Sequence, residues 1–333
     1  MLRNRHKPYA KRSQQAGQMK KTILILILIV FSQEAFSQKN WSTILSNSDI
    51  VLLGEQAHGV QSFYEEKQKI IKQIELVSPQ ELLLLIESPI VLSVIRELEN
   101  RKSNYHYHHT NTKENIQFFD GYKNFGIDLQ EDCRYTEFSD FLIKRKYCDP
   151  SDRDILRMDS ILSLCIIGGN YVKDVLNKED VVVLKSSILH LKSKVLSQNL
   201  DEYESRLLGL CFENRVKLAD YLHLDTGKGY QKRIQYRDSV MAVNVQELIN
   251  SHRNFQAIIW AANLHIGGKG IMGKKWTKEG VKSMSEYLGQ NYSLYRIAID
   301  SKRRKKHEMY FHEFVITDSK NLVDPKYLEL NCY

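Results

Sequence analysis

The sequence predicts an α/β fold: a mainly parallel central sheet flanked by helices, with a large helical insertion and a C-terminal β-hairpin. Three observations predict it. Apolar runs at residues 50–53, 82–86 and 257–260 have the length of buried strands. Each run delivers chemically capable residues at its C-terminal end: Glu55 and His58 after the first, Glu87 after the second, Asn263 and His265 after the third. Between the second and third runs, residues 135–252 carry an almost wholly helical pattern. Ligands of open α/β sheets bind beyond the carboxyl ends of strands. Glu55, His58, Glu87 and His265 are therefore expected to face one cleft.

The elements follow in order. Gly54 closes the first run, and Phe63, Ile70, Ile71 and Ile74 then recur at helical spacing, so a helix from Gln61 should cross to the second strand. Lys67 lies one turn beyond Phe63 on this helix, where solvent exposure is expected. Residues 91–98 predict another short helix. The polar stretch RKSNYHYHHTNTKEN reads as an exposed loop; its His106, His108 and His109 form a His-rich tract of the kind that can also bind metal. Residues 125–130 predict a third strand ending at Asp128, which either faces the ligand or caps a loop. The helical block resolves into segments 135–147, 152–167, 179–197, 203–224 and 230–251. It is expected to cover the sheet's C-terminal edge. Residues 292–300 and 308–316 alternate as paired strands, which places the basic run SKRRKKH on a solvated turn, with a polyanion site as the lesser reading. The organisation is thus a leader at 1–37, the first half of the α/β domain at 38–134, the helical insertion at 135–252 and the second half at 253–333.

The 333 residues can bury a large core, and 42% apolar with 26% charged residues describes an ordinary folded protein. The net charge of +8 is concentrated at one end: residues 1–37 hold seven Lys/Arg and one Glu, a net of +6, which leaves +2 for the rest. No basic face with interleaved aromatics marks a nucleic-acid binder. Met19-Lys20-Lys21 forms a basic n-region, residues 22–31 an apolar h-region, and Ala35-Phe36-Ser37 a small-x-small cleavage site before Gln38. This order predicts a signal peptide at 19–37, with Met19 as the expected start and a retained anchor as the alternative. An apolar run of about ten residues is too short to span a bilayer, so no stable membrane insertion is expected after cleavage. The expected location is exported, periplasmic or secreted. The five cysteines Cys133, Cys148, Cys165, Cys211 and Cys332 match no zinc spacing and read mostly as small buried hydrophobes.

Four motifs in order carry a family resemblance: GEQAHG after the first strand, Glu87 after the second, RDSVMAVN on a late helix and WAANLH after the last apolar run. Over residues 47–299 this resembles the erythromycin esterase family, whose pattern is Gly-Glu-x-x-His-Gly, a strand-end Glu, Arg-Asp-x-x-Met-Ala-x-Asn and Trp-Ala-His-Asn-x-His. The resemblance implies hydrolysis by activated water, with the essential histidine at His58, the glutamates at Glu55 and Glu87 and the closing histidine at His265. The chemistry agrees. Neutral imidazole is the usual base for taking a proton from water near pH 7. A carboxylate beside it fixes the tautomer and stabilises the imidazolium that forms. His265, with the backbone of the Gly267–Gly268 turn, is a candidate to face the developing oxyanion.

Two positions depart from the family pattern. Ala262 stands where the first histidine of the last motif belongs, and Lys67 stands where an arginine is common. Both leave the substrate open. Arg237 and Asp238 read either as a helix-surface ion pair or as supports behind the site; Asn263 reads as a substrate contact. The sequence holds no Gly-x-Ser-x-Gly elbow, no phosphate loop and no His-Glu-x-x-His, so a serine esterase, a nucleotide enzyme and a classical zincin are unsupported. The expected partner is a small-molecule ester, with no cofactor required. Two alternatives remain: a metal-dependent hydrolase or protease holding a divalent ion on Glu55, His58, Glu87 and His265, and a non-catalytic ligand-binding member of the family.

Overall fold

The computed structural model describes residues 40–56, 60–101, 113–130, 135–167, 170–171, 176–224, 230–267, 280–305 and 308–316. The chain divides into two compact units, Met1–Thr43 and Ile44–Tyr333. Of the first, only residues 40–43 are described, within and just before helix α1 (Trp41–Ser46). The leader, the His106–His109 tract, Cys133 and Cys332 lie outside the described residues.

The second unit runs β1 (Ile50–Glu55), α2 (Gln61–Glu75), β2 (Glu81–Pro89), α3 (Ile90–Leu98), α4 (Lys113–Asp120) and β3 (Lys123–Asp128). The helical block follows: α5 (Glu137–Lys144), α6 (Arg153–Cys165), the two short strands β4 (Ile166–Ile167) and β5 (Asn170–Tyr171), α7 (Lys178–Leu196), α8 (Glu202–His223) and α9 (Tyr230–Ser251). The chain closes with β6 (Phe255–Ala262), α10 (Asn263–Ile266), α11 (Met284–Leu288), β7 (Leu294–Lys305) and β8 (Glu308–Ile316).

The main sheet has the order β3-β2-β6-β1-β7-β8. Its first five strands are parallel, and β8 returns antiparallel along β7. Every residue of β1 is buried, as is every residue of β2 after Glu81, because helices cover both faces of a parallel sheet. In α2 the residues Phe63, Tyr64, Lys67, Ile70, Ile71 and Ile74 form the buried stripe, at the three- and four-residue spacing of a helix face. An Asn177–Asp180 capping box starts α7, and the Asp201 side chain accepts the Glu204 N–H at the start of α8.

The helical block does not stand apart from the sheet. Leu83 and Leu85 of β2 and Phe125 and Ile127 of β3 share one continuous core with Leu184 of α7, Leu207 of α8 and Met241 of α9. Asn244 of α9 donates to the Ile127 carbonyl at 2.8 Å and so ties that helix to β3. Cys148, Cys165 and Cys211 are buried, as small hydrophobes would be.

Three expectations change. The third strand ends at Asp128 as expected but begins at Lys123, two residues before Phe125. Strand β7 continues through Lys305, so residues 301–305 of the basic run are strand rather than turn; the ladder from Arg296↔Ile316 to Lys305↔Glu308 carries the backbone past the charges. Lys67 is fully buried, for reasons given by its partners below. Among the described residues, no helix is long and apolar enough to cross a membrane.

Candidate active site at the carboxyl edge of the sheet

Parallel strands in register bring their C-terminal ends to one edge. Glu55 of β1 lies opposite Ala262 of β6, Ile86 of β2 opposite Trp260, and Pro89 of β2 opposite Asp128 of β3. Between Ile86 and Pro89 the pairing of β2 with β3 shifts register, and Glu87 sits in that irregularity. Bulges of this kind re-aim a side chain at the rim of a sheet. Gly126 makes room for it, since a Cβ there would collide with the backbone oxygens of Ser88 and Pro89. Gly54 does the same for α10: a Cβ would run into the Asn263 and Ile266 side chains.

Arg237 of α9 reaches the edge from above and pairs with two carboxylates. Its Nε donates to Asp128 Oδ1 at 2.9 Å, and its Nη2 donates to Asp128 Oδ2 at 2.6 Å and to Glu87 Oε1 at 2.9 Å. The Asp128 contact is the two-point fork that guanidinium makes with carboxylate. Glu87 is held from two further directions. Its Oε2 accepts the Ala262 backbone N–H at 2.8 Å, and its Oε1 lies 3.0 Å from His265 Nε2. Beyond the ring, His265 Nδ1 lies 2.5 Å from Asp238 Oδ1, while Asp238 Oδ2 accepts the Met284 N–H at 3.1 Å.

The result is a continuous chain, Asp128–Arg237–Glu87–His265–Asp238, built from β3, α9, β2 and α10. Its electrostatics fix the state of the histidine. Burial by itself would lower the His265 pKa, but the carboxylates of Asp238 and Glu87 outweigh it and raise the value to about 10. His265 is therefore an imidazolium at neutral pH, donating one N–H to each carboxylate. Arg237 Nη1 lies 3.5 Å from His265 Nε2. Both atoms are donors in this state, and Glu87 Oε1 sits between the two cations as their common acceptor.

A second pair lies one strand away. The Lys67 ammonium contacts Glu55 Oε2, donates to the Ala261 carbonyl at 3.0 Å and sits 4.7 Å from the centre of the Trp260 ring. Burial pushes the Lys67 pKa well below the usual lysine range, with the Glu87 carboxylate pulling the other way. A buried carboxylate that needs a cation, a carbonyl and an aromatic face explains why this lysine turns inward instead of toward water. Asn263 Nδ2 donates to the Ile299 carbonyl at 3.0 Å, and its buried Oδ1 has no hydrogen-bond partner among the described residues.

Glu55, Lys67, Glu87, Asp128, Arg237, Asp238, Asn263 and His265 thus gather at or just behind one sheet edge, whereas His58 lies outside the described residues. Arg237 and Asp238 do not pair with each other; adjacent on α9, they reach Asp128 and His265 respectively. Asp128 takes the loop-capping role, accepting the backbone N–H of Gln130 at 3.2 Å, and also pairs with Arg237. Sequence reading missed the part played by position 262, whose backbone N–H, not its side chain, serves Glu87; no side-chain pattern signals such a contact. Arg233 and Tyr221, on the same wall, were also missed. The signal for Arg233 was available: it precedes Arg237 by four residues and so shares its helix face. Among the described residues, no cluster of three or more His, Cys, Asp and Glu is arranged to hold a metal ion.

Comparison with known proteins places this geometry in context. Residues 176–303 match the family model described as Erythromycin esterase. No curated protein sequence matches the chain. Among solved structures, the chain resembles a histidine-to-asparagine mutant of the erythromycin esterase EreC in its open conformation, with a TM-score of 0.56 and 15% identity over 82% of this chain and 77% of that one. It also resembles a succinoglycan biosynthesis protein, with a TM-score of 0.58 and 14% identity over 84% and 74% of the two chains. A protein from Bacillus cereus is similar at a TM-score of 0.54 and 15% identity, over 83% and 73%. At such identities these structures carry the fold and not the substrate. The family model thus matches the stretch that holds α7, α8, α9 and β6, and the chain shares its fold with an esterase of that name.

Proposed function

We propose that this protein hydrolyses an ester- or lactone-type acyl group of a small molecule by direct attack of activated water, after export from the cytoplasm. The observation that carries this reading is the charge state of His265. A histidine held as imidazolium by Asp238 and Glu87 has no lone pair to offer at neutral pH. The base that takes the proton from water then falls to His58, three positions after Glu55 in the sequence. His265 and Arg237 contribute fixed positive charge at the strand ends, where negative charge develops on the acyl oxygen. Glu87 holds these two cations together, and Glu55 with Lys67 supplies a charge pair at the end of β1. Residues 19–37, which lie outside the described residues, support export through their charge-then-apolar order.

Metal-assisted hydrolysis on the same residues is the second reading. It requires His265 to give up a proton and a carboxylate contact before a ring nitrogen can bind an ion. The test is a metal-analysed preparation beginning at Gln38, assayed against acyl esters and lactones with and without chelator. Activity that survives chelation supports water activation by histidine. Activity abolished by chelation and restored by one divalent ion favours the metal. No hydrolysis of any ester or lactone leaves a ligand-binding protein.

A further inference from the structure

Among the described residues, Arg233 has no counter-ion. It lies in the first turns of α9, is 7% exposed, and among the described residues receives no hydrogen bond acceptor and no carboxylate. Its Nε is buried with no hydrogen-bond partner, and the guanidinium rests on the Tyr221 ring with Cζ 4.5 Å from the ring centre. A buried guanidinium nitrogen without an acceptor is costly, and the ring face alone does not offset it. Its position adds to the cost: a cation near a helix N-terminus opposes the macrodipole, and the first turn of α9 carries no acidic residue to offset it. Among the described residues, none satisfies that Nε.

Its surroundings are those of an oxyanion subsite. Tyr221, whose hydroxyl accepts the Gln130 Nε2–H at 2.7 Å, feels the charges of both Arg233 and Arg237. Arg233 stands one helical turn from Arg237, about 6 Å along the helix axis. The Asp128 carboxylate nearby is engaged by the Arg237 fork. Guanidinium presents a planar set of donors that matches the oxygens of carboxylate and phosphate alike.

We propose that Arg233 anchors an anionic group of the substrate, a carboxylate or a phosphate, one helical turn from the acyl group to be hydrolysed. This rests on the hydrolase reading above and narrows it to acidic esters. The anion completes the guanidinium only when substrate is bound, so its binding energy is available to position the scissile bond.

The test has a kinetic arm and a binding arm, both on mature protein from Gln38. In the first, kcat/KM is measured for a neutral nitrophenyl ester and for the nitrophenyl monoesters of a dicarboxylic acid and of a phosphorylated hydroxy acid. In Arg233→Met the ratio of anionic to neutral kcat/KM should fall about 10- to 100-fold, the scale of a lost charge-assisted hydrogen bond. The anionic ester that loses more identifies carboxylate or phosphate. An unchanged ratio overturns the proposal. In the second arm, calorimetry follows the binding of succinate and of inorganic phosphate. Binding by the wild type that weakens at least tenfold in Arg233→Met supports the subsite; equal binding by both, or no binding by the wild type, overturns it. This arm decides the matter even if no ester is hydrolysed, a result that would instead sink the hydrolase reading. Thermal midpoints are recorded beside both arms. Removing an unsatisfied buried charge should leave the midpoint unchanged or higher, whereas a guanidinium serving only to hold α9 on Tyr221 would lower it. Arg233→Gln, read by the same criteria, replaces the methionine variant should that fail to fold.

Discussion

His265 Nδ1 meets the Asp238 carboxylate at 2.5 Å, with Glu87 on the opposite ring nitrogen at 3.0 Å. The histidine is thereby held between β2 and α9 as a cation. Because its pKa is raised in the folded protein, the native state binds a proton that the unfolded chain releases above the ordinary value.

The sign of the pH dependence follows. The stability contributed by His265 is fully present below about 6.5, its unfolded value, and is lost as pH rises through about 10. Across that window, denaturant unfolding should show stability falling with pH by up to about 1.4 kcal/mol per unit. In His265→Gln that component of the slope should vanish. A slope unchanged in the variant would mean that the charge is not held on this ring.

Asp238→Asn removes one of the two carboxylates that raise the His265 pKa. The alkaline loss of stability should then begin at lower pH, and stability at pH 7 should drop by about 3–5 kcal/mol, the usual cost of breaking a buried ion pair. Direct titration of the ring by NMR distinguishes this outcome from a general loosening of α9, which would leave the pKa in place.

Lys67→Met deprives Glu55 of its cation and should cost about 3–5 kcal/mol for the same reason. Adding Glu55→Gln removes the charge that needed the lysine, so the double variant should be more stable than the sum of the two single losses. Strict additivity in chemical denaturation would show that the pair contributes nothing as a pair.

Gly126→Ala tests the seat of Glu87. The methyl would press on the Ser88 and Pro89 carbonyls, which belong to the irregular stretch of β2 that aims the carboxylate. Overpacking of this kind costs about 1–3 kcal/mol. Hydrolytic kcat should fall together with stability, and a variant as stable and active as wild type would show that the two strands have slack at this point.

His58→Ala should lower kcat by about 10²–10⁴, the loss expected for a positioned base, while the thermal midpoint moves little. The wild-type pH–rate profile should show an acidic limb near the histidine reference of about 6.5. Persistence of near-native kcat and of that limb in the variant would place the base elsewhere.

Much of this was written in the residues themselves. Apolar runs with Glu55, Glu87 and His265 at their ends determined an α/β sheet with a polar carboxyl edge, because strand burial and helix periodicity are local properties that survive without a tertiary context. Helix spacing likewise determined α7, α8 and α9 to within a residue or two. What periodicity could not supply was pairing between distant positions. Lys67 falls by spacing on the apolar stripe of its helix, and only its charge argues for exposure. The parallel register of β1 with β6 is what places Glu55, the Ala261 carbonyl and the Trp260 ring around its ammonium. Arg237 and Asp238 are neighbours of opposite charge that suggest each other as partners; side chains adjacent in a helix point about 100° apart, and the fold gives each a different counter-ion. The charge on His265 was equally illegible, since it depends on two carboxylates from β2 and α9 converging on one buried ring. Sequence determines which groups stand at the strand ends; packing decides which of them carry a proton.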